Sequence, residues 1–281
     1  RDVERSRGLG DVYKRQVRGP LFTNLLLSID GTQITDKNIS SWTQTLDMKR
    51  ANLRTQVQTD KAEISYTLRA LRNFPYMGMI VVEMLPKTDC MLEVTNSTVF
   101  PGELQETSAT YKMLKDGKIE LPVYTSQAKS LTGMQDLATC SAFLFDEERP
   151  LIYASYTASN QQAMSFNVQL QKGKSYRFAL IGSVCSSRDF VNPKNEAERM
   201  AVFALQSDID YFIEGHEKEW NRLWQSDIII EGDDETQRDV RLALYNLYSF
   251  AGENTRLSIP PMGLSTVTGY NGHVFWDTEL W

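Results

Sequence analysis

Histidine is almost missing from this chain: its 281 residues include only His216 and His273. A metal site made of several histidines is therefore excluded within this segment. Cysteine is nearly as sparse. Cys90, Cys140 and Cys185 are far apart and form no C-x-x-C pair, so neither a zinc site nor a disulfide framework is indicated. Three isolated thiols are expected to act as small apolar residues. No apolar run reaches the roughly eighteen residues of a membrane span. There is no excess of positive charge either: 30 Lys and Arg stand against 36 Asp and Glu, a net charge of −6. That excludes the basic face of a nucleic-acid binder. No G-x-x-x-x-G-K run offers a phosphate cradle.

What is present is ordinary globular material, 41% hydrophobic. Residues 1–16 are dense in charge and glycine without an apolar period. The run Gly8 to Gln16 resembles translated adapter sequence, and the segment is set aside as a non-native leader. From Leu21 to Cys185 the period is two. Met164, Phe166, Val168 and Leu170 alternate with polar residues, and Tyr176, Phe178 and Leu180 fall at the same two-residue spacing after a Gly173 turn. This pair reads as a hairpin, and so does Leu53–Thr59 with Ile64–Arg69. Met79–Met84 is apolar at every position but Glu83, as a strand buried on both faces would be. Many strands separated by turn residues predict a large antiparallel β-sandwich.

Beyond Cys185 the period becomes helical. Asn195 with Glu198 reads as a variant capping box, and Gly215 as a break between two helices. His216, in the charged run Glu214 to Glu219, reads as a solvated helix residue. Asp234 opens a further helix with the apolar stripe Val240, Ala243, Leu244, Leu247, Tyr248 and Ala251, closed by Gly252. The fold class is therefore mainly β: a large sandwich, a helical linker and the first helix of something larger.

The last residues carry the chemistry. A pyranose has an apolar face and a rim of hydroxyls, so a protein that holds one offers an aromatic platform and a carboxylate. Phe275, Trp276 and Trp281 are candidate platforms, Asp277 and Glu279 candidate acceptors, and His273 a candidate donor. Gly269 and Gly272 would let the backbone approach a ligand. The same residues also suit a buried aromatic helix start in which Asp277 caps its own backbone. Asp277 and Glu279 do not make an acid/base pair, because residues two apart on a helix do not face each other.

The stretch Met262-Gly263-Leu264-Ser265 through Gly269-Tyr270-Asn271-Gly272-His273-Val274-Phe275-Trp276-Asp277-Thr278-Glu279 resembles the hallmark of glycoside hydrolase family 65. Leu46-Asp47-Met48, with Leu53 and Arg54, resembles the family's amino-terminal strands. The resemblance implies a sandwich at 17–190, a helical linker at 191–226, and at 227–281 the truncated start of an (α/α) six-hairpin barrel. It also implies that Trp276 and Asp277 hold the non-reducing glucose, with His273 and Phe275 supporting its shape. Thr266-Val267-Thr268 stands where many members carry glycine. The implied reaction inverts at the anomeric carbon. A general acid protonates the glycosidic oxygen while water or phosphate attacks the opposite face. The family's acid, a Glu, is expected beyond Trp281, which leaves no catalytic residue in this segment.

The expected substrate is an α-glucoside or oligosaccharide. No cofactor is implied, only inorganic phosphate as co-substrate in a phosphorylase. The full-length enzyme could be a homodimer, in the periplasm or cytoplasm of a bacterium. Tyr66–Met84, with Leu68-Arg69-Ala70-Leu71-Arg72-Asn73, resembles hydrolase members and favours hydrolysis. A disaccharide phosphorylase and a non-catalytic carbohydrate-binding sandwich are the alternatives.

Overall fold

A computed structural model describes residues 18–116 and 118–250. Residues 19–220 form one compact unit, and residues 221–250 belong to a second.

The first unit is a two-sheet sandwich in which every strand pairing is antiparallel. Its strands are β1 (Leu21–Ile29), β2 (Thr32–Gln33), β3 (Ser41–Asp47), β4 (Asn52–Gln58), β5 (Ala62–Ala70), β6 (Met77–Pro86) and β7 (Cys90–Val99). The remainder are β8 (Leu104–Asp116), β9 (Ile119–Ser130), β10 (Asp136–Phe145), β11 (Ile152–Tyr156), β12 (Gln162–Leu170) and β13 (Tyr176–Ser186). The smaller sheet has the order β11-β12-β7-β1-β2, and the larger β3-β4-β5-β6-β13-β10-β9-β8.

Between the sheets lies an aromatic core. Phe166 meets Phe178 edge-on at 5.2 Å and Phe143 at 4.9 Å. Pairs of this kind add about 0.5–1.5 kcal/mol to the burial itself. That contact corrects the expected hairpin of residues 164–180. β12 pairs with β7 and β11, whereas β13 pairs with β6 and β10 in the other sheet. The Gly173 turn, with φ at +75°, carries the chain across the core rather than back along one sheet. The β4–β5 hairpin does form, with Gln58 opposite Glu63.

Two polar or close contacts lock the sheets together. Asn96, wholly buried, donates from Nδ2 to the Phe22 carbonyl at 2.6 Å and accepts from Ser141 Oγ of the opposite sheet at 2.7 Å. Phe22 itself lies over Gly182, where a Cβ would come within 2.5 Å of its ring. Only glycine leaves room there.

The outer face of the larger sheet is also covered, so its central strands are apolar on both sides. In β6, Ile80, Val82 and Met84 face the inter-sheet core, while Met79 and Val81 face a second core with Phe212, Ile209 and Ala204. That second core includes residues of α1 (Pro193–Ala204) and α2 (Ile209–Leu223). α1 starts one turn earlier than expected. Asn192 is the cap, accepting from the Asn195 amide at 3.1 Å, and Pro193 occupies the first turn, where no amide hydrogen is needed.

α2 runs unbroken through Gly215, contrary to the expected break. A Cβ at Gly215 would collide with the Asn73 side chain, so packing overrides the propensity cost of glycine. The helix thereby settles onto the turn after β5, where Phe74 packs against Phe203, Tyr211 and Phe212.

Candidate functional site

His273, Phe275, Trp276 and Asp277, with Glu279 and Trp281, lie outside the described residues, as does Gly252. The helix that leads toward them, α3 (Asp234–Phe250), is described. Its first turn is capped by Asp233, which accepts from the Glu235 and Thr236 amides at 3.0 Å each and from Thr236 Oγ1 at 2.7 Å. The bonds from Thr236 hold this carboxyl below the usual carboxylate range.

Residues 224–230 then run along the helix as a strap. Gln237 donates to the Ile228 carbonyl at 3.0 Å and accepts from the Ile230 amide at 2.8 Å. Arg241 grips Asp227 Oδ2 through Nε at 3.0 Å and Nη2 at 2.7 Å, which lowers the Asp227 pKa and raises that of Arg241. Tyr248 donates to the Ser226 carbonyl, and its ring meets Trp224 edge-on at 5.5 Å. Positions 237, 241 and 248 share one face of a helix, and that spacing was the available sequence signal. Of the expected apolar stripe, Val240, Ala243, Leu244, Leu247 and Tyr248 are not buried, Leu247 being exposed, and Ala251 lies outside the described residues.

Elsewhere the described residues hold little that could act as an acid, base or nucleophile. Four described carboxyls, Asp30, Asp210, Asp227 and Asp233, have pKa values lowered from the ordinary carboxylate range. Each is kept ionised, the opposite of what a general acid requires. Burial pushes the Cys140 and Cys185 thiols up to about 12, and all three cysteines are free and buried. They behave as small apolar residues and not as nucleophiles. Among the described residues no cluster of His, Cys, Asp or Glu could hold a metal ion.

A groove of about 340 Å³ opens beside the start of α1, with Glu106, Lys129, Asp136, Asn192 and Lys194 in its wall. Lys129 is spent on Glu106 at 2.9 Å, and no aromatic side chain lines the groove. It therefore lacks a platform for a sugar ring.

His216 corrects another expectation. It is fully buried, not solvated. The charged residues around it mark one side of α2, but Ile209, Phe212, His216 and Trp220 fall on the other side and are all buried. Nδ1 accepts from the Arg72 amide at 3.0 Å, which places the ring hydrogen on Nε2, near the Arg50 and Ala51 carbonyls at 3.1 and 3.2 Å. Arg72 also lies over the Trp220 ring at 5.9 Å. The Leu68–Asn73 run noted in the sequence thus serves the docking of α2.

Residues 10–223 match the family model described as glycosyl hydrolase family 65, N-terminal domain, and residues 241–281 match that family's central catalytic domain. The kojibiose hydrolase of Flavobacterium johnsoniae is 38% identical over 98% of this chain and 41% of its own length. The kojibiose hydrolase of Mucilaginibacter mallensis is 34% identical over 92% of this chain and 39% of its own. The chain thus spans about two-fifths of the length of these curated relatives. A solved structure titled as a putative kojibiose phosphorylase from the human microbiome superposes with a TM-score of 0.72, covering 94% of this chain and 36% of that one. At 16% identity it establishes the shared fold.

Proposed function

This chain belongs to glycosyl hydrolase family 65, and on that premise we propose that it is the amino-terminal part of an inverting α-glucoside hydrolase acting on kojibiose. The observation that carries the reading is the likeness to kojibiose hydrolases, which runs through 98% and 92% of the chain and not only through the terminal motif.

In this reading the aromatic face of Trp276 and the carboxylate of Asp277 hold the glucose whose bond is broken, and His273 and Phe275 shape its pocket. The acid and the base stand on later parts of the full-length protein. The acid protonates the leaving oxygen, and the base draws a proton from a water on the opposite face of the ring, so the anomeric configuration inverts. Where phosphate is the nucleophile, no base is needed and the product is a sugar phosphate.

The test is to incubate the full-length protein with kojibiose, nigerose, maltose and trehalose, each with and without inorganic phosphate. Glucose released from kojibiose at a rate indifferent to phosphate is the expected result. Glucose 1-phosphate formed only in its presence would replace hydrolysis with phosphorolysis.

A further inference from the structure

Among the described residues the sandwich has four sheet edges, and three carry a defence against pairing with another chain. β2 is two residues long. β11 has five residues and follows Pro150 closely. β8 is interrupted by a bulge between Gln105 and Ser108 and bears Lys112 and Lys115. Short strands, prolines, bulges and lysines are the usual means of blocking edge-to-edge association.

β3 has none of these. Its seven residues, Ser-Trp-Thr-Gln-Thr-Leu-Asp, pair with β4 in one unbroken register from Ser41–Gln58 to Asp47–Asn52. All but Asp47 are exposed, which means that both faces of the strand are open. The face shared with the inter-sheet core carries Trp42, Gln44 and Leu46. In register beside them stand Val57, Thr55 and Leu53 of β4, then Ile64, Tyr66 and Leu68 of β5. None of these nine residues is charged. Trp42 is 56% exposed, and Leu46 and Leu68 are also open to solvent. An unbroken edge whose core-side face is uncharged and carries exposed large apolar residues is a docking edge or an aggregation hazard.

We propose that β3 is an interface between two copies of this chain, paired antiparallel about a two-fold axis through Gln44. The strand is self-complementary in that register. Trp42 of one copy stands opposite Leu46 of the other, twice over, while Thr43 faces Thr45 and Gln44 faces Gln44. The strand's only charge, Asp47, faces Ser41, so no like charges meet. Moving the axis to Thr43 or Thr45 breaks the Trp42–Leu46 match. Aromatic-to-aliphatic cross-strand pairs are favourable, and an isologous contact of this kind closes on itself and does not grow into a fibre. The proposal does not depend on which sugar the enzyme uses.

The experiment uses the full-length protein, with oligomeric state read by sedimentation velocity across a concentration series. The wild type is expected to dimerise. In Thr43→Lys/Thr45→Lys, like charges face each other across the axis, and the dissociation constant should rise about tenfold. In Thr43→Lys/Thr45→Glu each Lys faces a Glu of the other copy, and dimerisation should return, which a merely misfolded variant could not do. Gln44→Cys sits on the axis and should give a covalent dimer on mild oxidation. Cys90, Cys140 and Cys185 are buried, so the wild type is the matching control. A protein that stays monomeric, a dimer indifferent to the double lysine variant, or a Gln44→Cys thiol that is shielded by the rest of the polypeptide and does not cross-link would each overturn the proposal.

Discussion

Protonation of His216 should undo the seat of α2. Its two ring nitrogens are committed to backbone groups of three residues. A proton added at Nδ1 would set donor against donor at the Arg72 amide. Burial, and then the nearby Arg69 and Arg72, hold the imidazole pKa below its ordinary 6.5, although the Ala51 and Arg50 carbonyls pull the other way. The unfolded chain therefore takes up a proton below 6.5 that the folded chain refuses. The contribution is fully present above 6.5 and is lost as pH falls toward the lowered folded value. Its slope is at most about 1.4 kcal/mol per pH unit.

The measurement is urea denaturation of the chain, followed by circular dichroism at a series of pH values, for the wild type and for His216→Gln, which cannot titrate. His273 and the lowered carboxyls are common to both proteins, so their contributions cancel in the difference. The wild type should lose up to about 1 kcal/mol more than the variant over the first pH unit below 6.5, where the unfolded imidazole is still only partly protonated. Curves that run parallel, or a difference of the opposite sign, would refute the reasoning. His216→Phe keeps the ring but strands a buried amide and two carbonyls, and at neutral pH it should cost about 2–4 kcal/mol.

Gly182→Ala drives a methyl group into the Phe22 ring and should destabilise the sandwich by about 1–3 kcal/mol in the same denaturation assay, with partial recovery in the double variant with Phe22→Leu. Asn96→Leu leaves the Ser141 hydroxyl and the Phe22 carbonyl buried without their partner, at about 2–4 kcal/mol, and adding Ser141→Ala should recover part of the loss. In the full-length enzyme Asp277→Ala should lower kcat/KM by on the order of a hundredfold, because contacts to the reacting sugar strengthen in the transition state. A variant within about threefold of wild type would remove Asp277 from the site.

The sandwich was legible because its strands alternate, and Met79–Met84 announced its two buried faces. The partner of each strand was not legible. Residues 164–180 have the same alternation whether the second strand pairs with the first or faces it across the core. Only the tertiary contact of Phe166 with Phe178 separates the two. At α1 the useful signal was Pro193, which fits the first turn of a helix and makes Asn192, not Asn195, the cap. Gly215 and His216 were misread for one reason. Local propensity and local charge were weighed, whereas the spacing 209, 212, 216, 220 already marked a buried face. The terminal motif pointed to a sugar site only through its resemblance to a family, because the physical reading of its aromatic and acidic residues favoured a capped helix start.

The two family matches end at 223 and resume at 241, and the strap and the first two turns of α3 occupy the interval. That interval is built, not slack. The Asp227–Arg241 pair is partly exposed, with side-chain exposures of 20% and 41%, and a solvent-screened pair of this kind holds little by itself. Gln237 and Tyr248 hold the same short segment one turn before and two turns after it, and Asp233 fixes where the helix begins. Restraints that share one segment are not independent, so removing any single one leaves the others to hold the strap. The strap is accordingly held against α3 by Gln237, Arg241 and Tyr248, while Asp233 fixes the first turn of the helix, and of these four only Tyr248 belongs to the apolar stripe that first marked it as a helix.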